Sequence, residues 1–154
     1  MMRSNAPMRT LLNSTQAVRT LAPSLMQIAN DGFEVRDGCY VLRALSMQAN
    51  APRARFGDCT GYECFVNSLH VEDYCTETPL AHALLFAMEV LRKWRLEKPT
   101  SCLVAILTAD EFSVVAKFHV KRDGEQWLGD DIERYEDPVM SVDSNDDFAV
   151  LLKN

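Results

Sequence analysis

The chain has 154 residues and a formal net charge of −6, with 47% apolar and 25% charged residues and only six Gly and six Pro. That composition excludes a disordered tail, a collagen-like repeat and a coiled-coil rod. The acidic balance argues against a general nucleic-acid binder and against a ligand for anionic membrane surfaces.

At about 100–200 residues per domain, the length predicts a single domain over 1–154, with residues 1–8 as a loose lead. Residues 1–30 carry Arg3, Arg9 and Arg19 and no acid before Asp31. We read this as a first helix with a basic face, in preference to the transit peptide that such a composition also describes. The helical stretch 9–30 is split by Pro23 and ended by Asp31-Gly32. Two strand-like runs, 33–35 and 39–45, flank Asp37-Gly38, which predicts a hairpin. Residues 46–61, with Pro52, Gly57 and Gly61, read as a long loop. The run 62–71 is rich in Tyr, Phe and Val and reads as a strand.

The clearest element is a helix over 79–97. Thr78 is placed to cap it, Pro79 sits at its first position, and Leu80, Leu84, Ala87, Leu91 and Trp94 share one face. Pro99 stops it. A C-terminal β-meander follows. The run Cys102 to Leu107 is apolar on both faces and reads as a central strand. Phe112 to Lys121 alternates, with Lys117, His119 and Lys121 on a wet face. Asp123-Gly124 turns into a return strand at Glu125 to Leu128. An acidic loop or helical turn spans 129–137, a last strand spans 138–142, and Phe148 to Leu152 packs the end down. The expected fold is α+β, a mainly antiparallel sheet packed by helix 79–97 with an N-terminal helical segment.

No apolar run approaches the roughly 18–20 residues that span a bilayer, and no secretory signal is visible. Five cysteines, an odd number in a chain of this size, read as free thiols in a reducing cytoplasm. Cys59, Cys64, His70 and Cys75 are spaced by four, five and four residues, which matches no paired zinc pattern, so no metal is expected. Gly-rich phosphate loops and a Gly-x-Ser-x-Gly elbow are also absent, so no cofactor is expected. His119 and Lys117 with a cysteine form the single arrangement from which an enzyme reading starts, and it ranks last.

Charge placement is the informative feature. Residues 123–147 hold ten acids against Arg134 alone. A solvated face explains scattered charge better than a run of one sign, which repels itself. Calcium is disfavoured because Asp143 to Asp147 lacks the glycine and terminal Glu of an EF-hand. A docking surface for a basic protein fits best, with Asp123, Glu125, Asp130, Asp131, Glu133, Glu136 and Asp137 supplying charge and Trp127 and Tyr135 the aromatic anchors.

The stretch Phe112 to Val142 resembles the sheet halves of bacterial immunity proteins of contact-dependent growth-inhibition and polymorphic-toxin systems. It shares their strand, Asp-Gly turn, Glu-Gln-Trp-Leu, acidic turn and Pro-Val-Met-Ser-Val. The resemblance covers about a fifth of the chain. It implies a non-catalytic protein, a monomer or weak homodimer, that neutralises a cognate toxin such as a nuclease. The alternative is a secretion chaperone that holds an effector through apolar grooves.

Overall fold

The computed structural model describes residues 1–148. Its order is β1 (Arg3–Ser4), α1 (Ala6–Ser14), α2 (Pro23–Asp31), β2 (Phe33–Arg36), β3 (Cys39–Leu42), α3 (Arg43–Ser46), α4 (Cys59–Val66), β4 (Ser68–His70), α5 (Pro79–Glu97), β5 (Leu103–Ala109), β6 (Val114–Val120) and β7 (Val139–Asp143). The fold is α+β: a five-stranded antiparallel sheet ordered β1-β7-β5-β6-β4 beside the two-stranded hairpin β2-β3. Among the described residues no helix is long and apolar enough to cross a membrane.

Strand alternation sets the two layers. Leu103, Ala105 and Leu107 of β5 and Ala116 and Phe118 of β6 face inward and pack with Phe86, Val90 and Leu91 of α5 in the main core. The ring of Phe86 meets Phe118 edge to face at 5.6 Å. Trp94, near the end of α5, donates its indole N–H to the Ser101 carbonyl at 2.9 Å and takes Phe33 and Tyr40 edge to face. That ring fastens the β2-β3 hairpin to the long helix. Asp37 and Gly38 both hold positive φ, 51° and 79°, the paired left-handed geometry of a tight two-residue hairpin turn.

Four local expectations are corrected. Thr78 makes no side-chain cap on α5 and sits at φ 49°. Residues 1–8, read as a loose lead, carry β1 and the first turn of α1. The run 62–71 is strand only at 68–70, which form β4, while 62–66 are helix: Asp58 accepts from the Gly61 amide at 2.8 Å and starts α4 inside the expected loop. The return strand at 125–128 does not form; a single bridge, Arg122 to Glu125, closes the Asp123-Gly124 turn. The reason lies in β6: β5 takes one side, and on the other the Phe118 carbonyl and the Val120 amide, where a return strand would pair, are taken by the side chains of Asn67 and Glu63. The last strand, β7, therefore pairs on the far side of β5. Phe148 packs against the core beneath the Arg95 guanidinium, while the rest of the expected C-terminal packing, 149–152, lies outside the described residues.

Strand β4 reaches only Val115 to Lys117 of β6. Side chains of α4 continue where it stops. Asn67, just past the helix, donates to the Phe118 carbonyl at 3.1 Å, and the Val120 amide donates to Glu63 at 2.9 Å. The same two side chains hold the edge of β3. Glu63 accepts from the Tyr40 amide, and Asn67 accepts from Leu42 and donates to Tyr40. Both residues are fully buried. They splice the hairpin to the main sheet through hydrogen bonds worth about 1 kcal/mol each, more where the carboxylate is the acceptor.

Candidate functional site

The face of the sheet turned away from α5 carries Val104 and Ile106 of β5, Lys117 and His119 of β6, and Val139, Ser141 and Asp143 of β7. The acidic segment 123–137 runs across it. Leu128 and Ile132 press onto Ile106 and Val139 as a second small core. The expected wet face is therefore covered, and His119, expected between two lysines in solvent, is only 6% exposed.

The segment is strapped at both ends. Glu125 accepts from the Thr60 amide at 3.2 Å, the second residue of α4. Glu133 accepts from the Ala6 amide at 2.9 Å, the first residue of α1, and pairs with Arg9 at 2.9 Å. Amides in a first helical turn lack intrahelical partners and sit at the positive end of the dipole, so both carboxylates cap helices. Asn5 adds four bonds, donating to the Tyr135 and Asp137 carbonyls and accepting from Met8 and Val139. Arg3 donates to the Gly129 and Asp130 carbonyls, and the Tyr135 hydroxyl accepts from the Gly129 amide at 2.9 Å.

This bonding divides the nine residues expected to bind a partner. Glu125 and Glu133 hold the segment, and Asp131 caps the short turn Ile132–Arg134 through the Glu133 amide. Asp123, Asp130, Glu136 and Asp137 are exposed, and among the described residues their carboxylates have no hydrogen bond or ion pair. Trp127 and Tyr135 stand 45% and 40% exposed beside them. Farther on, Asp143 is buried against the Met1 ammonium and accepts from Asn145, and Asp146 accepts from the Asp143 and Met2 amides. Two hollows flank Trp127, one of about 700 Å³ bordered by Tyr135 and Asp137, the other of about 320 Å³ reaching His119 and Ser141.

The histidine, lysine and cysteine do lie near one another, with the chemistry of a core. Burial pushes the Cys64 thiol up to about 12, so at neutral pH it stays protonated and is no nucleophile. Lys117 donates to the Ser68 hydroxyl at 2.9 Å and lies 5.8 Å from the Trp127 ring. Burial also lowers its pKa. His119 sets its Nδ1 3.0 Å from the Val120 carbonyl, which places the proton on Nδ1 and leaves Nε2 an acceptor.

Burial outweighs that carbonyl and lowers the pKa of His119. In the unfolded chain the imidazole takes its proton first. The stability it contributes is therefore complete above about pH 6.5 and lost as pH falls through the depressed folded value. Urea midpoints should drop between about pH 7 and pH 5, and His119→Gln should flatten part of that slope. An unchanged slope in the variant would refute the assignment.

The reading of five free thiols is corrected: Cys39 and Cys59 form a disulfide, and Cys64, Cys75 and Cys102 are free. The two partners, 20 residues apart, meet because β3 and the start of α4 are spliced together. Cys39, Cys59 and Glu63 are the one cluster of potential metal ligands among the described residues. They do not fit a metal. The sulfurs are bonded to each other, and each Glu63 oxygen already accepts one amide and one Arg122 nitrogen. The spaced set Cys59, Cys64, His70 and Cys75 is not gathered; His70 instead pairs with Glu72. Ser141, Arg3 and Asn5 escaped the sequence reading. For Ser141 a signal existed, since strand alternation sets it on the same face as Val139.

Residues 3–152 match the family model described as the Uncharacterized protein PM0498 family. A curated protein of that name from Pasteurella multocida (strain Pm70) is 31% identical over 100 residues, 58% of this chain and 63% of the relative. The match thus spans somewhat less than two thirds of that relative's length. No solved structure matches.

Proposed function

The chain belongs to the PM0498 family, and we propose that it is a non-catalytic protein that binds and neutralises a cognate toxin domain through the outward side of 123–137. One observation carries the reading. A segment strapped to two helices presents Asp123, Asp130, Glu136 and Asp137 with no internal partner among the described residues, next to two half-exposed aromatic rings. A surface with that charge steers a basic partner, and fixed aromatics supply anchors without a large ordering cost. Carboxylates held this way can stand in for the phosphates that a nuclease cleft binds. The straps and the caps explain part of the acidity without a partner, and the proposal rests on what remains.

The test replaces Asp123→Asn, Asp130→Asn, Glu136→Gln and Asp137→Asn together and leaves Glu125, Asp131 and Glu133 in place. Affinity capture from the native lysate at low and high salt, followed by mass spectrometry, identifies the partner. The association rate with that partner should fall by about tenfold or more in the variant, with the thermal midpoint nearly unchanged. Undiminished binding would overturn the site. A partner held equally at high salt would favour an effector chaperone.

A cytoplasmic setting belongs to the same proposal. The Cys39–Cys59 disulfide weighs against it, because reducing compartments keep thiols open. Alkylation of protein taken directly from cells decides: five free thiols place it in the cytoplasm, and three place it in an oxidising compartment.

A further inference from the structure

We propose that the smaller hollow beside Trp127 is a binding site for a small, flat, uncharged heteroaromatic molecule that donates an N–H to His119 and accepts from the hydroxyl of Ser141. The inference does not depend on the toxin-binding reading. It starts from two polar side chains that are almost wholly buried. His119 is 6% and Ser141 is 5% exposed, and both line the hollow. Among the described residues, His119 Nε2 and Ser141 Oγ have no hydrogen-bond partner. Neither atom is sealed from solvent, and both open onto one cavity, where a molecule that enters meets a free acceptor and a free hydroxyl.

The register gives the spacing. His119 lies opposite Val104 on one side of β5, and Ser141 lies opposite Ile106 on the other. The two polar groups therefore flank an apolar strip two strand spacings wide and are offset by two residues along it, about 11–12 Å apart at the backbone. Leu128 covers Ile106, so the floor of the hollow is Val104, and a ring lying on it would place one edge toward each polar group.

Chemistry selects the donor and the charge. With the proton on Nδ1, and with burial keeping the imidazole neutral, Nε2 accepts and rejects a second acceptor. At the rim the Met1 ammonium is paired with Asp143 and Arg122 with Glu63, which leaves two cations, Arg3 and Lys121, facing two carboxylates, Glu125 and Asp130. The balance favours neither a cation nor an anion. A volume of about 320 Å³ lies at the lower end of the range for small-molecule sites.

Benzimidazole, a neutral ring with an N–H on one edge and an acceptor nitrogen on the other, is the probe. Its hydrocarbon counterpart indene is the control. NMR titration of the full chain should give saturable shifts at His119 and Ser141 with a dissociation constant near millimolar or tighter. Indene should bind about tenfold more weakly or worse, and Ser141→Ala should weaken benzimidazole several-fold with the fold intact. No shift at these residues in the unaltered protein, or equal binding of indene, would overturn the proposal. That readout stands even where His119 variants fail to fold.

Discussion

Replacing Glu63 by Gln is expected to lower the thermal midpoint by roughly 6–20 °C. A broken buried ion pair costs about 3–5 kcal/mol, and each kcal/mol shifts the midpoint by about 2–4 °C in a chain of this size. Glu63 is fully buried and receives four hydrogen bonds, from the Tyr40 and Val120 amides and from both terminal nitrogens of Arg122, at 2.6–2.9 Å. Gln keeps the shape and removes the charge. Its amide nitrogen must then face N–H donors, and the Arg122 side chain, 21% exposed, loses its counter-charge. A native stability of about 5–15 kcal/mol leaves little margin for that loss. Adding Arg122→Met to Glu63→Gln should recover part of the loss, because no charge is then left without its partner and the Gln carbonyl still accepts one amide. Thermal melts of the three proteins check this, and a Glu63→Gln midpoint within about 2 °C of the parent would refute the splice as a stabilising device.

Opening the Cys39–Cys59 disulfide should cost about 3 kcal/mol, since it closes a loop over a sequence separation of 20 and its removal enlarges the unfolded ensemble. The melt should fall by roughly 6–12 °C under reductant. The native arrangement should survive. Val41, Tyr62 and Val66 remain packed together, and Asn67 and Glu63 still hold both strands. Hydrogen exchange separates two outcomes: faster exchange confined to 47–58 supports this account, and exposure of the Tyr40 and Leu42 amides would show that the disulfide itself holds the hairpin.

Several elements were legible because a local signal agreed with the tertiary result. Pro79 with its apolar face gave α5, Asp37-Gly38 gave the hairpin, and the two-sided apolar run gave β5 its central place. Where the reading went wrong, long-range partners decided. Residues 62–66 carry strand-like composition, yet Asp58 and the splice through Glu63 draw them into a helix. The return strand was a sound local pattern with no edge left to pair on. Within the acidic segment, composition marks charge but cannot tell a helix cap from an exposed carboxylate. Glu133 and Glu136 look alike in sequence, and only the approach of α1, more than 120 residues away, distinguishes them. The disulfide was hidden for the same reason.

The two straps also separate what can change from what cannot. Glu125 and Glu133 meet backbone amides, so their roles depend on position and not on any partner's identity. The carboxylates of Asp123, Asp130, Glu136 and Asp137 touch nothing the fold needs, since only the Asp130 and Asp137 backbone carbonyls take part in the strapping. Substitutions there should be nearly additive with one another and almost silent in stability. A lineage could rewrite the outward residues in any order, passing through folded intermediates at every step, while the anchors stayed fixed. In an alignment of relatives this would show as variable positions set between two constant acids.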